Sequence, residues 1–197
     1  MPRARREQLI LEVAGAVFAR EGYHAASMDE IAEQAGVSKP MVYSYFASKE
    51  GLYLEYVERA GRELLERLEN AGVPGAPPVA ALRARITEFL AFVQEHDDGW
   101  KVLFGEFASS RPFAERVAEI RARIANAIRR MIEDAGLRFP PPASDAIAHA
   151  LVGAAESLAN WWLEHPDVPL EEVAGWYVSV VHAVIVAPDH PVPSGGR

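Results

Sequence analysis

Side chains that bind anions and nucleic-acid bases are concentrated near the amino end of the chain, between Ser27 and Lys49. Ser27, Ser38 and Ser48 each precede a run with helical periodicity, so each is expected to begin a helix. The unpaired backbone N–H groups at a helix start attract phosphate oxygens, and Lys49 lies at one of these starts. The segment therefore has the chemistry of an anion-binding surface.

A helix-turn-helix arrangement would bring these groups together. Ser27 and Glu30 have the spacing of a capping box at the start of one short helix. Gly36 can adopt the left-handed backbone of a tight turn, and Ser38 begins the second helix. Many enzymes also contain a short helical corner that ends in glycine, so the spacing alone leaves that alternative open.

The second helix of this arrangement has an inner and an outer face. Val42 and Phe46 are expected to bury the junction, with Val37 beside them. The residues left to face the major groove of DNA are Lys39, Pro40, Met41, Tyr43 and Ser44. Lys39 and Ser44 can hydrogen-bond a base edge, whereas Pro40 and Met41 offer only apolar contact, for example to a thymine methyl group.

The charge of the chain limits how it can meet DNA. Twenty basic and 28 acidic side chains give a net charge of −8, which argues against a protein that coats nucleic acid without selection. Any DNA contact must be local and geometric. Arg3, Arg5 and Arg6 either form an arm toward the minor groove or backbone or belong to a solvated, disordered end.

The rest of the sequence also has helical periodicity and predicts an all-α protein of about nine helices. The first helix should run from about Arg3 to Arg20, with Gly22 ending it, and a long helix from Ser48 to Asn70. The last two should cover Ser144 to Glu164 and Leu170 to Val186. We predict a helix-turn-helix DNA-binding domain at 1–52, a helical ligand-binding and dimerisation domain at 53–188 and a disordered tail at 189–197.

The last two predicted helices carry more apolar surface than one small domain can cover. The final helix is apolar nearly all the way round, and Ala150, Gly153, Ala154 and Ala155 give the preceding helix a run of small residues. A second copy related by a two-fold axis is the natural cover. The alternative is that both helices form the core of the monomer.

Two stretches of sequence resemble the TetR family of transcriptional regulators. They are GYHAASMDEIAEQAGVSKP and MVYSYFASKEGLYLEYV, and the resemblance covers about Glu7 to Tyr56. It implies that Ser27, Lys49 and the Tyr45 hydroxyl contact phosphates and that Tyr43 contacts the groove and backbone. It places Lys39, Pro40, Met41 and Ser44 at base-facing positions.

The resemblance also implies a function for the second part of the chain. A homodimer, joined through the last two helices, would bind a palindromic operator in double-stranded DNA, usually as a repressor, and a small effector would enter a cavity among the carboxyl-terminal helices and release it. The candidates for an apolar or aromatic effector are Phe92, Trp100, Phe104, Phe107 and Trp161, for which core packing is the alternative. His149, Glu156 and Asn160 could provide polar contacts to the effector or bonds across the dimer.

No pattern supports catalysis, a cofactor or a metal. The chain has no cysteine, and no nucleophile–histidine–acid order, glycine-rich phosphate loop or carboxylate pair stands out. His96, Asp97 and Asp98 are better explained as an acidic helix start than as metal ligands. The start MPRARREQ lacks the apolar stretch of a secretion signal, so we expect a cytoplasmic protein without membrane contact. The competing class is a helical interaction protein or enzyme that retains the fold without specific DNA binding.

Overall fold

The computed structural model describes residues 2–72, 75–96, 100, 113–134 and 136–186. These residues form eight α-helices, so the all-α prediction is confirmed. The helices are α1 (Arg3–Ala25), α2 (Met28–Gln34), α3 (Lys39–Phe46), α4 (Lys49–Asn70), α5 (Pro78–Glu95), α6 (Phe113–Asp134), α7 (Pro141–Leu163) and α8 (Leu170–Val186). Of a further short helix predicted around Trp100 to Phe107, only Trp100 is among the described residues, and the predicted tail lies outside them.

Helices α1, α2 and α3 form an amino-terminal bundle, whose buried residues join one hydrophobic core with those of the later helices. The apolar stripe of α1 buries Ile10, Val17 and Phe18, as its three-and-four spacing predicts. Ile31 from α2 and Val42 from α3 are completely buried against it. Between these two helices, Gly36 has a φ of 63°, the left-handed conformation that the predicted turn requires.

Of two local predictions near this bundle, one is confirmed and one is wrong. The first regular stretch of α1 ends at Gly22, as predicted, where φ is 74° and ψ is 164°, and a short helical stretch continues beyond this kink to Ala25. Ser27 caps α2 by accepting a hydrogen bond from the Asp29 N–H at 3.2 Å, but the reciprocal half of the capping box is missing. The Glu30 carboxylate instead accepts hydrogen bonds from Arg20 and Gln34.

Helix α4 connects the amino-terminal bundle to the helices that follow. It begins at the Ser48 cap, where the Ser48 hydroxyl oxygen accepts a hydrogen bond from the Gly51 N–H at 2.9 Å. It then packs against α1, α5 and α6. Glu58 on α4 accepts a hydrogen bond from Arg123 of α6 at 2.8 Å and pairs with Arg116 at 3.0 Å. The Arg123 hydrogen bond is the main cause of a lowered Glu58 pKa.

Helices α5 to α8 form the second helical layer. Helix α5 packs against α8, and α6 against α7. Leu90, Phe92, Val93 and Val173 are fully buried there. Helix α7 begins at Pro141, earlier than the predicted start at Ser144, because Pro141 and Pro142 are tolerated in a first helical turn. Among the described residues, no helix is both long and apolar enough to cross a membrane.

Candidate nucleic-acid interface and ligand cavity

The inner face of α3 is packed against the rest of the protein, and its outer face is accessible to solvent. Val42 is fully buried and Phe46 nearly so, whereas Lys39, Pro40, Tyr43 and Ser44 are exposed and Met41 is partly buried. The side chain of Tyr43 is 41% exposed, which is high for so large an aromatic residue. The structure thus brings the predicted base-facing residues onto one accessible surface.

Two polar groups on this face have internal partners. The Lys39 ammonium donates to the Asp29 carboxylate at 2.8 Å, and this hydrogen bond raises the Lys39 pKa. The Ser44 hydroxyl donates to the Met41 carbonyl oxygen at 2.7 Å within α3. Because that hydroxyl proton is already used, Ser44 can offer a base edge only its acceptor lone pairs.

The predicted phosphate contacts Ser27 and Lys49 lie near the junction of α1 and α2. The Lys49 ammonium donates to the carbonyl oxygens of His24 and Ala26 at 3.0 and 3.1 Å. It also lies 4.8 Å from the centre of the Tyr23 ring. In this structure Lys49 therefore holds the end of α1 against the start of α4, and Ser27 is partly buried at the α2 cap.

The basic amino terminus lies beside the partly buried Tyr45. The Arg3 guanidinium is 5.1 Å from the Tyr45 ring centre, and Arg6 donates to the Tyr45 hydroxyl at 3.4 Å. Helix α1 already begins at Arg3, so the alternative of a disordered end is wrong for these arginines. They add positive charge next to one end of α3.

A cavity of about 670 Å³ lies among α4, α5, α6, α7 and α8. Its wall is largely apolar, and its large apolar residues include Leu64, Leu68, Leu82, Ile86, Phe89, Ile124, Ile128, Met131, Ile132, Leu151, Val152 and Val181. Arg85, Asp134, Glu156, Tyr177 and His182 are the titratable residues that line it. Its size and lining are typical of a site for an apolar small molecule.

The predicted effector residues divide into three groups. Trp100 and Glu156 line the cavity. The described residues that do not line it are Phe92, His149, Asn160 and Trp161. Phe104 and Phe107 lie outside the described residues. Phe92 packs beneath the Arg67 guanidinium and stacks on His96, and Trp161 stacks on His165, so both rings have neighbours of their own.

The two predicted residues that line the cavity are held by polar partners. The Trp100 indole N–H donates to the Asn160 side-chain oxygen at 2.7 Å. Glu156 accepts a hydrogen bond from Arg121 at 3.0 Å. Burial nevertheless raises the Glu156 pKa, because desolvation of the carboxylate outweighs the attraction of Arg121. Asn160 thus contributes to the site by orienting Trp100.

Arg85 is a charged residue of the cavity wall that was not among the predicted effector residues. It lies three residues after Leu82 and four before Phe89, so it interrupts the apolar stripe of α5. A charged residue within an inward-facing stripe is the signal that would have identified it. Its Nη1 donates to the Ala81 carbonyl oxygen at 3.2 Å, while its buried Nε–H has no hydrogen-bond partner among the residues that the structure describes.

Helices α7 and α8 expose a face of small and aromatic residues. Ala150, Gly153 and Ala154 are exposed on α7, and a β-carbon added to Gly153 would meet no atom within 4 Å. On α8, Trp176 is 46% and Val180 59% exposed. His149 lies at the same exposed face, with its Nδ1 3.0 Å from the Asp145 carbonyl oxygen.

The described residues contain no group of three or more histidine, aspartate or glutamate side chains arranged to hold a metal ion. His96 lies at the end of α5, where its Nδ1 is 3.1 Å from the Phe92 carbonyl oxygen. Asp97 and Asp98, discussed with it above, lie outside the described residues.

Comparison with known proteins gives matches along most of the chain. A model described as "Bacterial regulatory proteins, tetR family" matches residues 10–56, and one described as "Tetracyclin repressor-like, C-terminal domain" matches residues 78–184. The chain is 32% identical over 174 residues to the HTH-type transcriptional activator FasR of Mycolicibacterium smegmatis. The aligned region covers 87% of this chain and 78% of that protein.

Solved structures show the same arrangement of helices. A TetR-like transcriptional regulator from Rhodococcus sp. RHA1 superposes with a TM-score of 0.78 at 34% identity, covering 95% of this chain and 99% of the other. The fatty acid degradation regulator FadR from Bacillus halodurans has a TM-score of 0.81 at 16% identity, with 97% and 100% of the two chains covered. At that identity the second match supports the fold alone.

Proposed function

The chain belongs to the TetR family of bacterial transcriptional regulators, and from this premise we propose that it is a repressor whose homodimer binds a palindromic operator and is released by a small apolar effector. As a TetR-family transcriptional regulator it is not an enzyme. We place its action in the cytoplasm. The predicted boundary between residues 52 and 53 would fall inside α4, which makes that helix the connection between DNA binding and effector binding.

The observation that carries the DNA-binding proposal is the outer face of α3. Lys39, Pro40, Tyr43 and Ser44 are exposed together, while Val42 fixes the helix from behind. A short helix presented in this way fits the major groove with its first residues against base edges. The cations near Tyr45 would then meet the phosphate backbone.

The internal partners of the two lysines favour the competing hypothesis, a helical interaction protein without specific DNA binding. The pair between Lys39 and Asp29 is exposed, however, and exposed ion pairs contribute little to stability, so a DNA phosphate or base could replace Asp29. The Lys49 ammonium would have to give up a hydrogen bond to the carbonyl oxygen of His24 or Ala26 in order to bind a phosphate with that N–H. We propose that Lys49 acts first by holding α1, α2 and α4 together and contacts phosphate from that position.

The exposed face of α7 and α8 supports a homodimer. Small residues such as Gly153 and Ala154 permit close approach of a second pair of helices, and Trp176 and Val180 would provide apolar area to bury. Such a dimer presents two copies of α3. To bind successive major grooves, these copies must lie about 34 Å apart.

The cavity supports control by an effector. An effector that binds the DNA-free conformation better than the DNA-bound conformation shifts the equilibrium toward release, by no more than that difference in affinity. Helix α4 lines the cavity with Leu64 and Leu68 and packs on α1 at its other end. A small pivot of α4 would therefore change the spacing between the two copies of α3.

The test is a fluorescence-anisotropy titration with DNA that flanks the protein's own gene, against a scrambled duplex of equal length. The proposal predicts tight, selective binding that weakens steeply as salt rises, because phosphate contacts release counterions. Absence of binding even at low salt would support the interaction-protein hypothesis instead. Because FasR is named an activator, a promoter-reporter assay must decide the direction of regulation: deletion of the gene should raise transcription for a repressor and lower it for an activator.

A further inference from the structure

We propose that the effector is an amphipathic acid, with an apolar chain in the cavity and an anionic carboxylate or phosphate head group on Arg85. This deepens the proposed function, on which it rests, by naming the chemical class that the same cavity binds. Three features carry it: an Arg85 guanidinium that has no anionic partner among the described residues, the state of the other charged groups in the wall, and the apolar character of the remaining surface.

Arg85 lines the cavity, and its guanidinium has unused hydrogen-bonding capacity. Its Nη1 donates one N–H to the Ala81 carbonyl oxygen, and no described residue accepts a hydrogen bond from its buried Nε–H. Within the described part of the chain no carboxylate forms an ion pair with it, and its Nη2 lies against Gly72, where an added methyl group would overlap it. A partly buried cation without a counterion favours a ligand that provides anionic oxygens.

The other charged residues in the wall do not compete for this role. The Glu156 carboxylate is already paired with Arg121 at 3.0 Å. Asp134 and His182 are exposed, and the Tyr177 hydroxyl donates to the Leu151 carbonyl oxygen at 2.8 Å. Arg85 is therefore the one arginine or lysine in the described wall, and no described carboxylate pairs with it. A cationic head group placed next to Arg85 would meet repulsion from its guanidinium.

The rest of the wall suits an alkyl chain. Leu82 and Phe89 lie on the same face of α5 as Arg85, and Ile128 and Met131 face them from α6. A cavity of about 670 Å³ holds a chain considerably longer than a short acid, so affinity should rise with chain length. Each additional buried methylene should tighten binding about fourfold until the cavity is filled.

The test is isothermal titration calorimetry of the full chain, without DNA, against four ligands with the same ten-carbon chain: decanoate, decyl phosphate, decanol and decyltrimethylammonium. We expect at least one of the two anions to bind about 10- to 100-fold more tightly than decanol, because a hydrogen bond to a charged group is lost with the alcohol. The anion that binds more tightly identifies the head group. Failure of both anions to bind at millimolar concentration, or equal or tighter binding of decanol or the ammonium compound, would overturn the inference.

Variants locate the contact. Arg85→Met keeps the length of the side chain and should remove the preference for the anion, while Arg83→Met, an exposed arginine on the same helix, should keep it. Arg85→Gln provides a second variant if the first does not fold, with circular dichroism as the check. An unchanged anion preference in a folded Arg85 variant would also overturn the inference. The calorimetry contains no DNA, so its result does not depend on operator binding. If the protein binds no operator but prefers anions through Arg85, the proposed function as a regulator is wrong and the ligand assignment still holds.

Discussion

A bulky side chain at Gly153 should separate the proposed dimer without damaging the monomer. Gly153 lies in α7 on the exposed face, and a β-carbon added there meets no atom within 4 Å. Replacing a helical glycine with phenylalanine does not cost helix propensity, since glycine is about 0.5–1 kcal/mol worse than most residues in a helix interior. The Gly153→Phe monomer should therefore be as stable as the wild type or slightly more stable.

In a two-fold dimer the same substitution acts twice. Helices that approach through small residues have axes about 8–10 Å apart, which leaves no room for a phenyl ring between them. Forcing extra volume into a packed interface costs about 1–3 kcal/mol per site. Two symmetry-related sites give about 2–6 kcal/mol, so the dimer dissociation constant should rise about 30-fold or more.

Sedimentation equilibrium over a range of protein concentrations measures this constant directly. Ala118→Phe is the control, because Ala118 is exposed on α6 and not on the face formed by α7 and α8. Urea unfolding of the monomer at low concentration checks that the fold survives. A Gly153→Phe protein that dimerises as tightly as the wild type would show that α7 does not form the interface.

Two further predictions concern the fold that supports the site. Gly36→Ala should lower the free energy of unfolding by about 1–2 kcal/mol because φ is 63° there, and Gly36→Asn should lower it less. Urea unfolding measures both changes. An alanine variant as stable as the wild type would contradict the requirement for a left-handed residue in the turn. Glu58→Gln should cost about 1–2 kcal/mol at pH 7 through loss of the charged pairing with Arg123 and Arg116. Since the folded Glu58 pKa is lowered, this stabilisation is complete above its ordinary value of 4.5 and is lost as pH falls through the folded pKa. The unfolding curves of the wild type and Glu58→Gln should therefore differ at pH 7 and converge at acidic pH. A difference that persists in acid would contradict this role of Glu58.

The local sequence predicted most of the fold because its signals do not depend on distant contacts. Glycine at position 36 and the spacing of Val42 and Phe46 determine the corner, and Ser48 caps α4 as expected. The capping box at Ser27 failed for a non-local reason. The Glu30 carboxylate that the capping box requires forms an ion pair with Arg20 on α1. The residues next to Glu30 and Arg20 in the sequence do not indicate this contact.

The cavity was harder to predict because an apolar residue does not reveal whether it faces a core or an empty space. Phe92 and Trp161 have the right character, but Phe92 is fully buried beneath Arg67 and Trp161 lies against His165 and Trp176. The rotation of each helix decides the difference, and packing sets that rotation. A charged residue is a clearer sign of a binding site. Placing Arg85 within an apolar stripe costs free energy, and core packing does not compensate for that cost.

Binding of a specific operator by α3 can be measured in one titration. Anisotropy with the gene's own flanking DNA is measured for the wild type, Tyr43→Ala and Lys39→Ala, with Arg130→Ala as a control that removes an exposed charge on α6. We expect selective binding by the wild type and the control, and affinities about tenfold lower for both α3 variants with unchanged helix content. Equal affinity of all four proteins for the operator, or equal affinity of the wild type for operator and scrambled DNA, would show that α3 does not bind a specific operator.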